Sequence, residues 1–275
     1  MAEWARQRLG DAGDARRIVE QASGRTRAEL ALDADTPATG KGQLRVQAMV
    51  ERRAAGEPLQ YVLAAWGFRT LDLFVDRRVL IPRPETETVV EVALAALSRL
   101  GGKAPVAVDL GTGSGAIALS LAAEAPAVTV WATDASPDAL DVARANLAGL
   151  PGRAARRVTM VQGNWYEALP DDLAGRVDLI VSNPPYVATG DELPPEVADW
   201  EPPCALFAGP DGLAALRQVI AGAPEWLGRP GALVAEIAPH QAQAVGALAR
   251  AAGACEVEVR PDLAGRPRAL EAVWT

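Results

Sequence analysis

The sequence predicts an α/β protein built on a seven-stranded, mostly parallel sheet. From residue 106 onward, short runs rich in β-branched residues alternate with longer segments of helical periodicity, the pattern of a parallel sheet with crossover helices. The central runs are almost continuously apolar, which is typical of strands buried on both faces. The last two runs lie close together in the chain and predict a closing strand pair. The seven predicted strands are 106–110, 128–133, 158–161, 177–181, 232–236, 255–259 and 268–274.

The chain ahead of this sheet predicts two smaller units. Residues 1–58 contain apolar residues at helical spacing, and Gly56 and Pro58 end the last helix, so we expect a small helical domain. Its role is either substrate recognition or a stabilising cap, and the pattern favours neither. Residues 59–80 are rich in aromatic and β-branched residues and predict a β-hairpin linker. The third unit, residues 81–275, is the large domain.

The large domain opens on Ile-Pro-Arg-Pro-Glu-Thr-Glu-Thr at residues 81–88, ahead of a predicted helix over 89–100. Pro84 and Glu85 suit a helix start, because proline fits the first turn and a carboxylate favours the positive end of the helix dipole. The helix-start signal does not explain Arg83, which lies between two prolines and has no structural role that the sequence reveals.

A glycine-rich turn follows the first strand of the large domain and leads directly into an apolar helix over 116–123. Glycines let the backbone approach a ligand and present the free N–H groups of the helix start. The turn therefore predicts a nucleotide-type site, although its spacing also satisfies the dinucleotide fingerprint. Its residues are Gly111, Thr112, Gly113, Ser114 and Gly115.

The next two strand ends carry an acidic residue and an aromatic one. Asp134 comes 19 residues after Gly115, where a carboxylate is placed to accept both hydroxyls of a ribose. The alternative, that Asp134 only starts the next helix, is weaker because Ser136 and Asp138 are available as caps. Trp165 follows the third strand and either lines an adenine pocket or fills the core.

The fourth strand end carries Asn183-Pro184-Pro185-Tyr186. Asn183 offers a side-chain oxygen, and Pro185 restricts the residue before it, so the Pro184 carbonyl is held in one direction. Two such acceptors can take both hydrogens of an NH2 group, and Tyr186 supplies a flat wall. The four residues alone are more typical of a turn. Their place at the ligand-binding edge of the sheet favours a site for a planar amide or amine.

After this segment, residues 187–203 predict a loop over the substrate because they contain several prolines. Glu236 ends a strand near the site, with a structural role slightly favoured. Arg260, Arg266 and Arg268 are expected on a solvated face.

Composition narrows the possible functions. Lys and Arg number 27 against 35 Asp and Glu, and the net charge of −8 argues against non-specific binding to nucleic acid. A single histidine, His240, and two cysteines, Cys204 and Cys255, are too few for a histidine-rich metal site, a zinc site or a disulfide framework. The amino terminus is charged and has no apolar run, so we expect no signal peptide or membrane span and a cytoplasmic location.

The four strand ends together resemble those of the class I S-adenosylmethionine-dependent methyltransferases, and the match is closer to the PrmC/HemK family of protein-glutamine methyltransferases. The residues that carry the resemblance are Leu80 to Glu87, Asp109 to Leu119 and Ser182 to Tyr186. The resemblance implies a Rossmann-like methyltransferase sheet and methylation of the glutamine in the Gly-Gly-Gln motif of class 1 peptide chain release factors. We also expect a monomer that binds neither nucleic acid nor membrane directly.

For the site, the resemblance implies that S-adenosylmethionine is held by the glycine-rich turn and Asp134, with Trp165 near its adenine. Asn183 contacts both cofactor and substrate in this interpretation. The residues implied to hold the substrate glutamine are Asn183, Pro184, Pro185 and Tyr186, of which Asn183, Pro184 and Tyr186 are catalytic. The sequence departs from the family at Asn164, usually Asp, and at Ala238, commonly Gly.

Other functions stay open at this point. A ribosomal-protein glutamine is an alternative substrate, whereas an adenine amine is disfavoured by the acidic charge. A nicotinamide-dependent oxidoreductase fits the glycine spacing but gives Asn-Pro-Pro-Tyr no role. A non-catalytic binder that keeps the fold is the third alternative, because fold alone does not establish function.

Overall fold

The computed structural model describes residues 1–32 and 39–275, and its main feature is a seven-stranded sheet in the order β5-β4-β3-β6-β7-β9-β8. Strands β3 to β7 pair in parallel, and β9 pairs antiparallel with both β7 and β8. The predicted α/β class and mostly parallel sheet are therefore confirmed. The strands are β1 Trp66–Phe68, β2 Leu71–Leu73, β3 Val106–Leu110, β4 Thr129–Asp134, β5 Val158–Gln162, β6 Val177–Ser182, β7 Leu227–Glu236, β8 Glu256–Pro261 and β9 Pro267–Trp274.

Helices cover both faces of the sheet. Val89 and Leu119 belong to the core on one face, and Leu216 and Ile220 belong to the core on the other. All four side chains are fully buried, so the sheet separates two apolar layers. The helices of the described residues are α1 Ala2–Leu9, α2 Ala12–Ser23, α3 Arg27–Leu32, α4 Gly40–Ala54, α5 Leu59–Leu63, α6 Pro84–Leu100, α7 Ala116–Glu124, α8 Pro137–Ala148, α9 Gly152–Ala155, α10 Pro195–Ala198, α11 Ala214–Trp226 and α12 Ala242–Ala251.

The amino-terminal helices have a core of their own, in which Ile18 and Val50 are fully buried. The linker prediction is wrong at its start, because Leu59–Leu63 forms α5 and packs into this helical core. Tertiary burial overrides the strand preference of a Tyr-Val pair here. The hairpin itself is present further along, as β1 and β2. No helix in residues 1–32 and 39–275 is both long enough and apolar enough to cross a membrane.

Between β5 and β6 the chain reverses its direction of travel across the sheet. From β3 the chain moves outward through β4 to β5, and then returns to place β6 on the other side of β3. Leu110 and Ser182, the last residues of β3 and β6, are register partners. The segments that follow these two strands therefore leave the sheet side by side, at the crevice where open α/β sheets bind ligands.

Candidate active site

A cavity of about 320 Å³ lies at this crevice. Its size falls within the range of small-molecule sites. The predicted site residues that line it are Gly111, Thr112, Gly113, Ser114, Asp134, Trp165, Asn183 and Pro185. Gly115, Pro184 and Tyr186 are not among the described residues that line it. The lining residues that the sequence analysis did not single out as site residues include Arg78, Thr86, Ser136, Pro202, Cys204 and Ala205.

The glycine-rich turn forms one wall of the cavity. Gly111 and Gly113 have φ angles of 73° and 56°, a left-handed conformation that glycine adopts without strain. A Cβ on Gly111 would lie 3.5 Å from the Trp165 ring, an ordinary contact distance, so the need for glycine here comes from the backbone conformation. Gly115 has a packing role instead, because it caps α7 and lies against Leu119.

Asp134 lies beside the turn at the end of β4. One carboxylate oxygen accepts the Gly113 N–H at 2.9 Å, and the other accepts the Ser136 N–H at 2.9 Å. Each oxygen keeps a second lone pair for a ligand hydroxyl. Burial raises the pKa of Asp134, and the two N–H bonds oppose that shift. Ser136, not Asp134, caps α8 through the Ala139 N–H, which leaves Asp134 for the ligand.

Trp165 lies between the cavity and the core, and its contact with adenine stays a prediction. Its ring lines the cavity and also packs against the core on one face of the sheet. Its φ of 50° is unusual for a residue with a large side chain. The Thr133 hydroxyl donates to the Trp165 carbonyl at 3.0 Å and helps to hold this backbone conformation. Asn164, where the sequence departs from the family, lines the same cavity.

Asn183 follows β6 and is half-buried at the cavity wall. Its Nδ2 donates to the Thr86 hydroxyl at 3.2 Å. Within the part of the chain that the structure describes, nothing donates a hydrogen bond to Asn183 Oδ1. The side-chain oxygen therefore keeps its full accepting capacity for a ligand.

Glu236 lies behind Asn183 at the end of β7 and is fully buried. Its two oxygens accept from the Thr86 hydroxyl at 2.6 Å and the Tyr186 hydroxyl at 3.3 Å. Burial raises the pKa of Glu236, whereas these bonds and the nearby Arg268 guanidinium lower it. The expectation of a solvated Arg268 is wrong, because this side chain is buried between Glu236 and Asp262. The opposite charges of Arg268 and the two carboxylates offset part of the cost of burying all three groups.

Arg83 has a structural partner that no local pattern reveals. Its guanidinium pairs with Glu201, whose side chain is 1% exposed. The other Glu201 oxygen accepts the Ile81 N–H at 3.3 Å. This pair ties the chain after Asn-Pro-Pro-Tyr to the segment before α6, next to the cavity-lining residues Pro202, Cys204 and Ala205. The predicted loop over 187–203 contains one short helix, α10.

Comparison with known proteins places this site in a family. The model of the PrmC N-terminal domain matches residues 1–63, and that of the Methyltransferase small domain matches residues 90–198. A release factor glutamine methyltransferase of Burkholderia pseudomallei is 44% identical over 265 residues, covering 94% of this chain and 90% of that protein. The chain belongs to the release factor glutamine methyltransferase family. A relative of that name from Moorella thermoacetica is 49% identical over 223 residues, covering 80% of this chain and 76% of that protein.

A solved structure independently shows the fold of this family member. The catalytic domain of hMettl16, in complex with MAT2A 3′UTR hairpin 6, superposes with a TM-score of 0.58 at 17% identity, over 82% of this chain and 81% of that one. Methyltransferases of this family use S-adenosylmethionine as the methyl donor. The cavity fits that molecule: a bare glycine turn admits it closely, and the free lone pairs of Asp134 suit its ribose hydroxyls.

Proposed function

We propose that this protein methylates the side-chain amide nitrogen of the glutamine in the Gly-Gly-Gln motif of class 1 peptide chain release factors. The observation that carries the proposal is the free Oδ1 of Asn183 at the cavity wall, in a chain whose relatives are named release factor glutamine methyltransferases. A substrate from the translation machinery supports action in the cytoplasm.

The cofactor half of the site has residues that suit the nucleoside part of S-adenosylmethionine. The turn from Gly111 to Ser114 supplies the backbone wall, Asp134 accepts the ribose hydroxyls, and Trp165 lies beside the adenine. When bound, the cofactor supplies an electrophilic methyl group. On the cofactor side of the site, the role of the protein is to bind and orient the cofactor through these contacts.

The substrate half must make a poor nucleophile react, because the lone pair of an amide nitrogen is delocalised into its carbonyl. Asn183 Oδ1 and the Pro184 carbonyl each accept one N–H of the substrate glutamine. The two acceptors orient the nitrogen and favour the positive charge that grows on it. Correct positioning alone is worth about 7–11 kcal/mol of the barrier, and fixed dipoles add to it. The extra proton then leaves to water, since a protonated amide is strongly acidic.

The test is transfer of a radiolabelled methyl group from S-adenosylmethionine to a purified class 1 release factor. We expect labelling of the wild-type factor and none when its Gly-Gly-Gln glutamine is replaced. Asn183→Ala should abolish transfer while cofactor affinity stays within about twofold, because the lost oxygen faces the substrate. Gln162→Ala removes an exposed carboxamide from the end of β5 and is the matched control.

Two results would contradict the proposal. Label on the release factor that does not depend on its Gly-Gly-Gln glutamine would show a different target. Equal loss of cofactor affinity and transfer in Asn183→Ala would remove Asn183 from the substrate half. Label on a ribosomal protein or on nucleic acid, but not on the release factor, would favour the alternative substrates.

A further inference from the structure

We propose that Thr86 and Glu236 are positioning residues that hold the Asn183 carboxamide with its oxygen toward the substrate. This inference rests on the proposed function, because it assumes that Asn183 Oδ1 accepts the substrate N–H. Thr86 lines the cavity beside Asn183, whereas Glu236 does not line it among the described residues. Their effect is exerted through Asn183.

The first step of the argument is the direction of the Thr86 hydroxyl. A hydroxyl has one hydrogen to donate. Thr86 donates it to Glu236 at 2.6 Å, the shorter of the two contacts of this oxygen. The Tyr186 hydroxyl also donates to Glu236, and Arg268 Nη1 lies 4.0 Å away. Against the effect of burial, these neighbours favour a carboxylate that only accepts.

The second step follows for Asn183. Because the Thr86 hydrogen is committed to Glu236, the Thr86 oxygen can only accept from its other neighbour. The Asn183 group that faces it, at 3.2 Å, must therefore be the NH2. A carboxamide rotated by half a turn would set its oxygen against the Thr86 lone pairs with no hydrogen between them. It would also present a donor to the N–H of the substrate.

The third step is the burial of the hydrogen-bonded side chains of Thr86 and Glu236. Thr86 is 3% exposed and Glu236 is fully buried, so water does not compete for these bonds. Three elements meet there: the first turn of α6, the end of β6 and the end of β7. Ser182 and Ala235 are register partners, so Asn183 and Glu236 leave neighbouring strands at the same level. The Tyr186 hydroxyl ties the other end of Asn-Pro-Pro-Tyr to the same carboxylate.

A purely structural role for Thr86 predicts different behaviour. If the hydroxyl only satisfied buried Glu236, its loss would lower stability and leave the rate of transfer in the folded enzyme unchanged. If it sets the direction of the carboxamide, its loss lowers the rate in enzyme that is folded and has cofactor bound.

The experiment compares Thr86→Val, which keeps the shape without the hydroxyl, with Thr86→Ser, which keeps the hydroxyl. Single-turnover transfer to the release factor is measured at saturating S-adenosylmethionine, together with cofactor Kd by calorimetry and the melting temperature. We expect Thr86→Val to slow transfer by about tenfold or more, the value of one hydrogen bond to the correct group, with Kd within about twofold. Thr86→Ser should recover most of the rate. Thr86→Ala replaces Thr86→Val if the valine variant does not bind cofactor.

A second comparison uses Asn183→Asp as the background. A carboxylate presents an oxygen whichever way it is turned, so orientation no longer matters. Thr86→Val should then change the remaining rate by less than about twofold, a coupling that only neighbouring, interdependent groups show. If Asn183→Asp has no measurable rate, the comparison of Thr86→Val with Thr86→Ser decides the question by itself.

Three outcomes overturn the inference. They are an unchanged rate in the variant without the hydroxyl, an equal loss in Thr86→Ser and Thr86→Val, and a tenfold loss in both the Asn183 and Asn183→Asp backgrounds. Failure of the proposed function looks different, because the wild-type enzyme would then transfer no methyl group to the release factor.

Discussion

Breaking the buried ion pair between Arg83 and Glu201 should destabilise the protein by an amount that depends on which partner is replaced. In Arg83→Met, the Glu201 carboxylate stays at 1% exposure with only the Ile81 N–H, at 3.3 Å, as a donor. An uncompensated buried charge costs about 3–5 kcal/mol. In Glu201→Gln, the amide oxygen still accepts from Ile81, and the Arg83 side chain, 30% exposed, is solvated instead. We expect this variant to lose about 1–1.5 kcal/mol, the value of one hydrogen bond.

The asymmetry should depend on pH. Burial raises the pKa of Glu201, and the Arg83 guanidinium opposes that shift, so Arg83→Met raises the pKa further. A carboxyl whose pKa is higher in the folded state than in the unfolded state binds a proton more readily when folded. A fall in pH therefore stabilises the folded state. The penalty of Arg83→Met should therefore shrink toward acid pH, whereas that of Glu201→Gln should not follow this trend.

Urea unfolding followed by tryptophan fluorescence, at neutral and at mildly acid pH, measures both effects. The double variant Arg83→Met/Glu201→Gln should be more stable than Arg83→Met alone, because no buried charge is left unpaired. Cofactor titration of each variant reports on the cavity, since Pro202, Cys204 and Ala205 follow Glu201 and line it. The reasoning fails if Glu201→Gln costs as much as Arg83→Met, or if the penalty of Arg83→Met is independent of pH.

Three further predictions follow from the same site. Asp134→Ala should weaken S-adenosylmethionine binding by about 3 kcal/mol, the value of hydrogen bonds from two hydroxyls to a charge; calorimetry against the exposed control Asp138→Ala measures it, and unchanged affinity refutes it. Burial raises the pKa of Asp109 to about 7 from its ordinary 3.8, so the folded state holds a proton that the unfolded state has lost. As the pH rises through the folded pKa, about 2 kcal/mol of this stability is lost between about pH 5.5 and about pH 7.5. Over this pH range the free energy of unfolding of Asp109→Asn, measured in urea, should fall by about 2 kcal/mol less than that of the wild type. An equal fall in the two proteins would contradict the prediction. Gly212→Ala should cost about 2–3 kcal/mol and slow transfer, because φ is 69° and a Cβ would overlap the Tyr186 carbonyl oxygen. Gly175→Ala, at the same φ of 69° with open space around it, isolates the backbone part, and equal costs would refute the overlap.

Much of the cofactor half was predictable from local patterns. The parallel strands are short apolar runs, and their carboxyl ends meet at one edge of the sheet whatever the details of packing. The glycine turn, Asp134, Trp165 and Asn183 could therefore be brought together from their positions after successive strands. The structure places all of them on the cavity except Gly115 of the turn.

The partners of buried polar groups could not be predicted in this way. Arg83 pairs with a residue 118 positions away, and Thr86 bonds to one 150 positions away. Arg268 lies in a strand of mixed polarity and looks solvated in the sequence, yet it is buried beside Glu236. Residues 59–63 of the predicted linker form a helix because Leu59 and Leu63 pack into the amino-terminal core.

By itself, the sequence determined the alternation of strands and helices in the large domain, the ligand-binding edge and the chemical types of the groups at that edge. Periodicity and turn chemistry act over a few residues, so they can be recognised in one chain. Only the tertiary structure decided which way the Asn183 carboxamide faces, because that direction depends on Thr86 and Glu236, brought from α6 and β7 into one water-free contact. Hydrogen bonds between distant elements leave no periodic trace in a sequence.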